Sequence, residues 1–219
     1  MTAIAIFVKT PGLSPVKTRL AATLGTERAE ALYRQCAAAV AEVACDAGKH
    51  VYWAIAEPAD QAAEHWPDFA HIDQGAGGLG ERMHRVLSTL VEHHGAGLLL
   101  GADAPQLQPE VLRRAAAWLQ RNHPASVLGP ASDGGFWTFG ANHVPDLSCW
   151  TRVSYSHPDT LWQFRQSIGA DIECLELPIL TDLDTQDDTA RVAAELAQLP
   201  QRLPRQNQLL DMLVESKHA

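Results

Sequence analysis

Five consecutive apolar residues, Ile4-Ala5-Ile6-Phe7-Val8, run straight into a basic loop, Lys9-Thr10-Pro11-Gly12-Leu13-Ser14-Pro15-Val16-Lys17-Thr18-Arg19-Leu20. An unbroken apolar run reads as a strand covered on both faces, the kind that opens a parallel α/β sheet. The loop leaving the carboxyl end of such a strand is where these sheets bind ligands. Lys9, Lys17 and Arg19 place three cations on this loop with no acid, and Pro11 and Pro15 stiffen it by fixing φ. The loop therefore reads as an anion site. The simpler alternative is a surface loop that is basic by chance.

Phosphate is the first anion to test, through the glycine-rich P-loop. That motif needs a glycine directly before the Lys-Thr pair so that backbone N–H groups can close around phosphates. Here Val16 precedes Lys17-Thr18, and Pro11 stands at the position of the motif's first glycine. Neither residue has the conformational freedom of glycine, so a P-loop is excluded.

The chain of 219 residues suits one α/β domain over 1–219, with a last helix and tail from about residue 200. Its formal net charge of −9 excludes general nucleic-acid binding, which runs on excess basic charge. Acids gathered at one site would instead favour a divalent cation. The cysteines at 36, 45, 149 and 174 show no Cys-x-x-Cys spacing, which fits a reducing compartment. No apolar run is long enough for a signal peptide or a spanning helix, so a soluble cytoplasmic protein without a membrane partner is expected.

Further along, Ala29, Leu32, Tyr33, Cys36, Val40 and Val43 recur at helical spacing, predicting a helix from an N-cap at Thr26 to about Ala47. His50–Ile55 and Phe69–Asp73 read as strands, with a short helix over 58–66 between them. Gln74-Gly75-Ala76-Gly77-Gly78-Leu79-Gly80 then leads into a helix ending at His93-His94. Glycines before a helix N-terminus suit close approach by a nucleotide; the alternative is a flexible connection. Gly97–Gly101 is the most apolar strand and is expected to be central. It places Asp103 at its carboxyl end, either as a cap for the helix opening at Pro109 or as a metal ligand. Strands at 125–129 and 136–139 flank Asp133-Gly134-Gly135. Hairpin chemistry explains both glycines but does not require Asp133, which is a candidate base or substrate contact. Residues 142–158 read as irregular, 159–168 as a helix and 171–177 as a strand. In Thr181-Asp182-Leu183-Asp184-Thr185, capping by Thr185 or Asp184 accounts for all but Asp182. An amphipathic helix and polar tail follow Pro204.

Five motifs, taken in order, resemble one family: Lys9-x-Pro11…Val16-Lys17-Thr18-Arg19-Leu20, Leu79-Gly80-Glu81-Arg82-Met83, Gly101-x-Asp103-x-Pro105, Asp133-Gly134-Gly135-Phe136 and Asp182-x-Asp184-Thr185. They are similar to bacterial GT-A-type transferases of unassigned function, labelled glycosyltransferases or selenodomain-associated transferases. The first motif also resembles phospholactate and molybdopterin-cofactor guanylyltransferases. The resemblance implies a Rossmann-like, three-layer α/β/α fold with a mainly parallel mixed sheet, the nucleotide-diphospho-sugar transferase fold. It implies a nucleotide held by Lys9, Gly12, Lys17, Thr18 and Arg19, with Gly12, Gly78 and Gly80 near base and ribose. It also implies Mg²⁺ or Mn²⁺ on Asp103 and Asp182. Two positions depart from the family pattern: Gly78 replaces an acid, and Tyr155-Ser156 stands where Trp-Ser is usual.

These expectations converge on a metal-dependent transferase using a nucleotide sugar or an NTP and an unknown small acceptor, with Lys17 and Asp133 as the catalytic candidates. Glycosyl transfer is the first reading and nucleotidyl transfer the second. A non-catalytic nucleotide-binding regulator is the rival from another class.

Overall fold

The computed structural model describes residues 1–48, 50–169 and 172–215. The apolar opening run is strand β1 (Thr2–Val8), and a short helix α1 (Thr18–Leu24) follows the basic loop. Helix α2 (Thr26–Ala47) leads to β2 (Val51–Ile55), then α3 (Ala59–Ala62) and β3 (Ala70–Asp73). Helix α4 (Leu79–His94), β4 (Ala96–Gly101) and α5 (Pro109–Trp118) come next, then β5 (Ala125–Pro130) and β6 (Phe136–Ala141). The chain continues through α6 (Leu147–Thr151), α7 (Thr160–Ile168), β7 (Glu173–Glu176), α8 (Gln186–Gln198) and α9 (Pro204–Glu215).

The strands form one sheet in the order β3-β2-β1-β4-β6-β5-β7, with β6 antiparallel to both its neighbours and the remaining pairs parallel. This is the expected mixed, mainly parallel sheet. The chain builds outward from β1 to β3, then returns to lay β4 on the other side of β1. Strand order therefore reverses between β1 and β4, and a crevice opens at their carboxyl ends. Phe7 pairs with Gly101 there, so the Lys9 loop and the Asp103 loop leave the sheet side by side.

Alternation along β1 divides the core. Ile4, Ile6 and Val8 pack with Val40 and Val43 of α2 and Leu112 of α5 on one face. The small Ala3 and Ala5 face the opposite way, leaving room for Met83 and Val86 of α4, Trp150 of α6 and Phe164 of α7. A third cluster lies beside the sheet and joins Leu20, Leu32, Cys36, Leu183, Val192 and Leu209. It draws α1, α2, α8 and α9 together.

Several local expectations change. Gly25, with φ of 82°, is the N-cap of α2, and Thr26 is already helical. Helix α1 is new, because its seven residues are too few for a periodic pattern to stand out. The segment expected to be irregular contains α6, whose Trp150 is fully buried. Thr185, not Asp184, caps α8: Asp188 Oδ2 accepts from the Thr185 N–H at 2.8 Å. Of the strand expected from 171 to 177, residues 173–176 pair, and Asp171 lies outside the described residues. Part of the polar tail also lies outside them. No helix among the described residues is long and apolar enough to cross a membrane.

Candidate active site

Lys17 is the residue immediately before α1 and sits in the left-handed region, at φ 47° and ψ 43°. This backbone turn, unusual for a side chain-bearing residue, sends the lysine inward while Thr18 and Arg19 face solvent. The Lys17 side chain is only 4% exposed, and its Nζ lies 2.7 Å from both Asp103 Oδ1 and Asp184 Oδ1. The contact to Asp184 is a hydrogen bond as well as an ion pair. Burial alone would lower the ammonium's pKa, but the charges of Asp103 and Asp184 more than offset it. The result is a shift upward, so Lys17 is charged at every physiological pH.

Residues 17 and 184 are brought together by apolar packing on either side of the pair. Leu20, one turn after Lys17, and Leu183, adjacent to Asp184, are both fully buried in the third cluster. The Leu183 N–H donates to the Asp103 carbonyl at 3.0 Å, fixing the late segment on the β4 loop. Thr181 braces the other end: its carbonyl accepts from Gln106 Nε2, and its hydroxyl donates to Glu195 Oε1. With Thr185 serving as cap, Asp182 and Asp184 are left free to face the crevice.

The crevice has two adjoining chambers. The first, about 230 Å³, is lined by Lys9, Lys17, Tyr33, Gln74, Asp103 and Asp184 among others. The second, about 320 Å³, is bounded by Asp103, Asp133, Asp182, Phe136, Trp137, Tyr155 and His157 among others. Phe7, Leu79 and Asp103 line both, so Asp103 stands in the shared wall. The first chamber carries the site's cations. The second carries three of its carboxylates.

Asp182 registers that imbalance. Burial first, then the charges of Asp103, Asp133 and Asp184, push its carboxyl up to about 8 against the pull of Lys17. Among the described residues no side chain donates a hydrogen bond to it. Across the two chambers Asp103, Asp133, Asp182 and Asp184 outnumber the ammonium groups of Lys9 and Lys17, which suits a further cation, and oxygen donors suit a hard one. No ready-made group of three or more His, Cys, Asp or Glu ligands occurs among the described residues. The carboxylate oxygens of Asp103 and Asp182 are nevertheless the donor type that Mg²⁺ or Mn²⁺ takes when phosphate oxygens complete its shell.

The structure gathers Lys9, Lys17, Asp103, Asp133 and Asp182 around the crevice. The Lys9 N–H donates to Tyr33 Oη, and the Thr10 N–H to Glu57 Oε2, both at 2.9 Å, so the loop backbone is held from α2 and from the segment after β2. Asp133 is exposed, with Oδ1 accepting from the Gly135 N–H at 2.8 Å. Thr18 and Arg19, on the first turn of α1, line neither chamber, nor do Gly12, Gly78 and Gly80. The glycine-rich loop is pinned rather than flexible: Arg82 Nε donates to the Gly77 carbonyl, Arg85 to those of Gln74 and Ala76, and Glu81 accepts from the Gly78 N–H. Gly80 has a packing reason, since a Cβ there would collide with the Trp150 carbonyl.

Sequence reasoning missed three contributors. Asp184 reads in sequence as one of two capping candidates, and its spacing from Asp182 is the available signal. Tyr33 and Gln74 gave no signal, because each reads as an ordinary member of its local pattern. Gln74 is buried, and its Nε2 donates to the carbonyls of Val8 and Ala54, tying the ends of β1 and β2 together.

Residues 31–157 match a family described as "Uncharacterized protein conserved in bacteria (DUF2064)", and the chain belongs to that family. A comparison with curated proteins gave no match. Among solved structures, the chain is similar to a candidate nucleotide-diphospho-sugar transferase from Desulfovibrio desulfuricans G20. That likeness has 23% identity over 99% of this chain and 95% of the other, with a TM-score of 0.83. It is more distantly similar to a CMP:2-keto-3-deoxy-manno-octonic acid synthetase complexed with CTP, at 15% identity over 90% and 98% of the two chains, TM-score 0.51. A third likeness is to the 4-diphosphocytidyl-2C-methyl-D-erythritol synthase of Anaerococcus prevotii DSM 20548, at 12% identity over 90% and 96%, TM-score 0.51. At these identities the likeness establishes the fold, that of the nucleotide-diphospho-sugar transferases.

Proposed function

We propose that the protein is a transferase dependent on Mg²⁺ or Mn²⁺, moving a glycosyl group from a nucleotide-diphospho-sugar to a small acceptor. The observation that carries this reading is Asp103, shared between a lysine-bearing chamber and a carboxylate-bearing one. A nucleotide sugar has the matching division, with an anionic diphosphate joined to an uncharged ring. The phosphates belong in the first chamber and the sugar in the second, against the faces of Phe136, Trp137 and Tyr155.

Each residue then has a defined task. Lys17 donates one proton to Asp184 and is ion-paired with Asp103, leaving a proton for a phosphate oxygen. Because Lys17 is already fixed, it stabilises the leaving diphosphate without reorganisation; removing one such donor typically costs about 10²–10³ in rate. Asp103 and Asp182 would hold the metal, which as a Lewis acid supplies further charge stabilisation to the phosphates. The acceptor hydroxyl oxygen bonds to the anomeric carbon as that carbon's bond to the phosphate oxygen breaks. The electron pair leaves with the nucleoside diphosphate, and the hydroxyl proton passes to Asp133.

Nucleotidyl transfer is the second reading, favoured by the likeness of Val16-Lys17-Thr18-Arg19 to the guanylyltransferase loop. Arg19 is exposed and lines neither chamber, which weakens it. A non-catalytic nucleotide binder has no need of Asp103 and Asp182 on one chamber wall.

The test is product release with Mn²⁺ and pooled substrates. Nucleoside diphosphate released from nucleotide sugars, and lost in Lys17→Met, supports glycosyl transfer. Pyrophosphate from NTPs, with no diphosphate from the sugars, overturns it in favour of nucleotidyl transfer. Nucleotide binding without either product assigns the protein to the non-catalytic class.

A further inference from the structure

The second chamber has a charge character that bears on what else enters it. Its charged walls are Asp103, Asp133 and Asp182, and no lysine or arginine among the described residues lines it. His157 also lines the chamber, with its Nδ1 3.2 Å from the Asp159 backbone nitrogen and 3.6 Å from the Asp159 carboxylate. Neutral donors are scarce too. The Tyr155 hydroxyl donates to the Trp150 carbonyl, and Thr160 Oγ1 is directed at the carbonyls of Ser154 and His157.

An anion entering this chamber would lose hydration and find carboxylates in place of partners, a costly transfer. A divalent cation on Asp103 and Asp182 does not reverse this, because its charge is matched by those two carboxylates and then exceeded by the donor's diphosphate. Asp133 remains outside that balance, and its Oδ2 has no donor among the described residues. The aromatic faces of Phe136, Trp137 and Tyr155 attract cations as well as sugar rings.

We propose that the acceptor is a non-anionic hydroxyl compound, with a protonated amine preferred over a neutral group and carboxylate- or phosphate-bearing acceptors rejected, because Asp133, Asp182 and the aromatic faces meet no lysine or arginine lining this chamber, and the Asp103 charge is already set against Lys17 from the other side. The proposal rests on the transferase reading, which puts the donor sugar in this chamber and brings the acceptor hydroxyl to Asp133 on its wall. It also separates the two chemistries, since an acceptor phosphate would need cations that the chamber does not supply.

The test is calorimetric binding of hexoses matched in shape and graded in charge: glucosamine, glucose, glucuronate and glucose 6-phosphate. The expected order of affinity follows that sequence, with glucosamine at least tenfold tighter than glucose 6-phosphate. Asp133→Asn is expected to narrow that ratio at least threefold. Glucuronate or glucose 6-phosphate binding as tightly as glucosamine, or no hexose binding at all, overturns the inference. Nucleoside diphosphate binding, measured on the same samples, separates the two ideas. Its loss with the hexose order intact sinks the transferase reading and leaves the charge selectivity standing. Normal nucleotide binding with a flat or reversed hexose order sinks the inference alone.

Discussion

The two chambers of the crevice are built on opposite principles. On the first side Lys17, Asp103 and Asp184 are paired before any ligand arrives, and the pairing is locked by the cluster around Leu20 and Leu183. On the Asp133–Asp182 side the carboxylates have no ammonium or guanidinium beside them in the chamber, and Asp182 is driven towards its neutral form. Pre-pairing gives rigidity and a fixed place for a diphosphate. Unpaired acid gives an appetite for cations. A site that must bind phosphates, a metal and a third component in one space gains from keeping these properties apart.

Removing the paired side's centre should do the greatest damage. Lys17→Met leaves Asp103 and Asp184 facing each other without a cation. Breaking a fully buried pair costs about 3–5 kcal/mol, and because these partners are about one-third exposed the expected loss is about 2–3 kcal/mol. Urea unfolding reads that loss, and turnover should fall by at least about 100-fold. An undiminished unfolding midpoint would mean that the pair is not the rigid element described.

On the other side, the comparison can be broken at Gly134. Its φ is 90°, and a Cβ would fall on the Pro158 carbonyl, which belongs to the loop carrying Tyr155 and His157. Gly134→Ala should cost about 2 kcal/mol and disturb the second chamber while sparing nucleoside diphosphate affinity in the first. Equal damage to both ligands would show that the chambers are one mechanical unit.

Asp182 sharpens the contrast through pH. Its folded pKa of about 8 lies above the roughly 3.9 of an unfolded aspartate, so the folded chain binds more protons in between. Stability should therefore fall as pH rises from about 4 to about 8. Asp182→Asn should flatten this slope and gain at least about 1.4 kcal/mol at pH 8, the equivalent of one pKa unit. Thermal unfolding against pH measures it, and an unchanged slope would contradict the assignment. The smallest effect is expected at Asp188→Ala, which removes the capping partner of Thr185 and should cost about 1 kcal/mol.

The inner strands β1, β2, β4 and β5 were legible because they are apolar runs, whereas the polar edge strands β3 and β7 carry a weaker signal and the reversal between β1 and β4 comes from the structure. The placement of Lys17, Asp103 and Asp133 beside the crevice was legible because each follows or precedes a recognisable strand. Asp184 was hidden because a cap and a ligand use the same residue types, and only the capping geometry of Thr185 and Asp188 tells them apart. Arg19 was overread. Its charge is visible in sequence, but the left-handed turn at Lys17 that directs it to solvent is not, since lysine carries no signal for positive φ. Helix α6 escaped because Trp150 packs alone rather than as part of a periodic stripe.

The central claim is that the cationic and carboxylate halves meet through a metal at Asp103. Calorimetric titration of nucleoside diphosphates, with and without Mn²⁺, into wild type and Asp182→Asn tests it most directly. The account predicts at least tenfold tighter binding with Mn²⁺ in wild type, and loss of that gain in the variant. Binding indifferent to Mn²⁺, or a gain of equal size in Asp182→Asn, would contradict it.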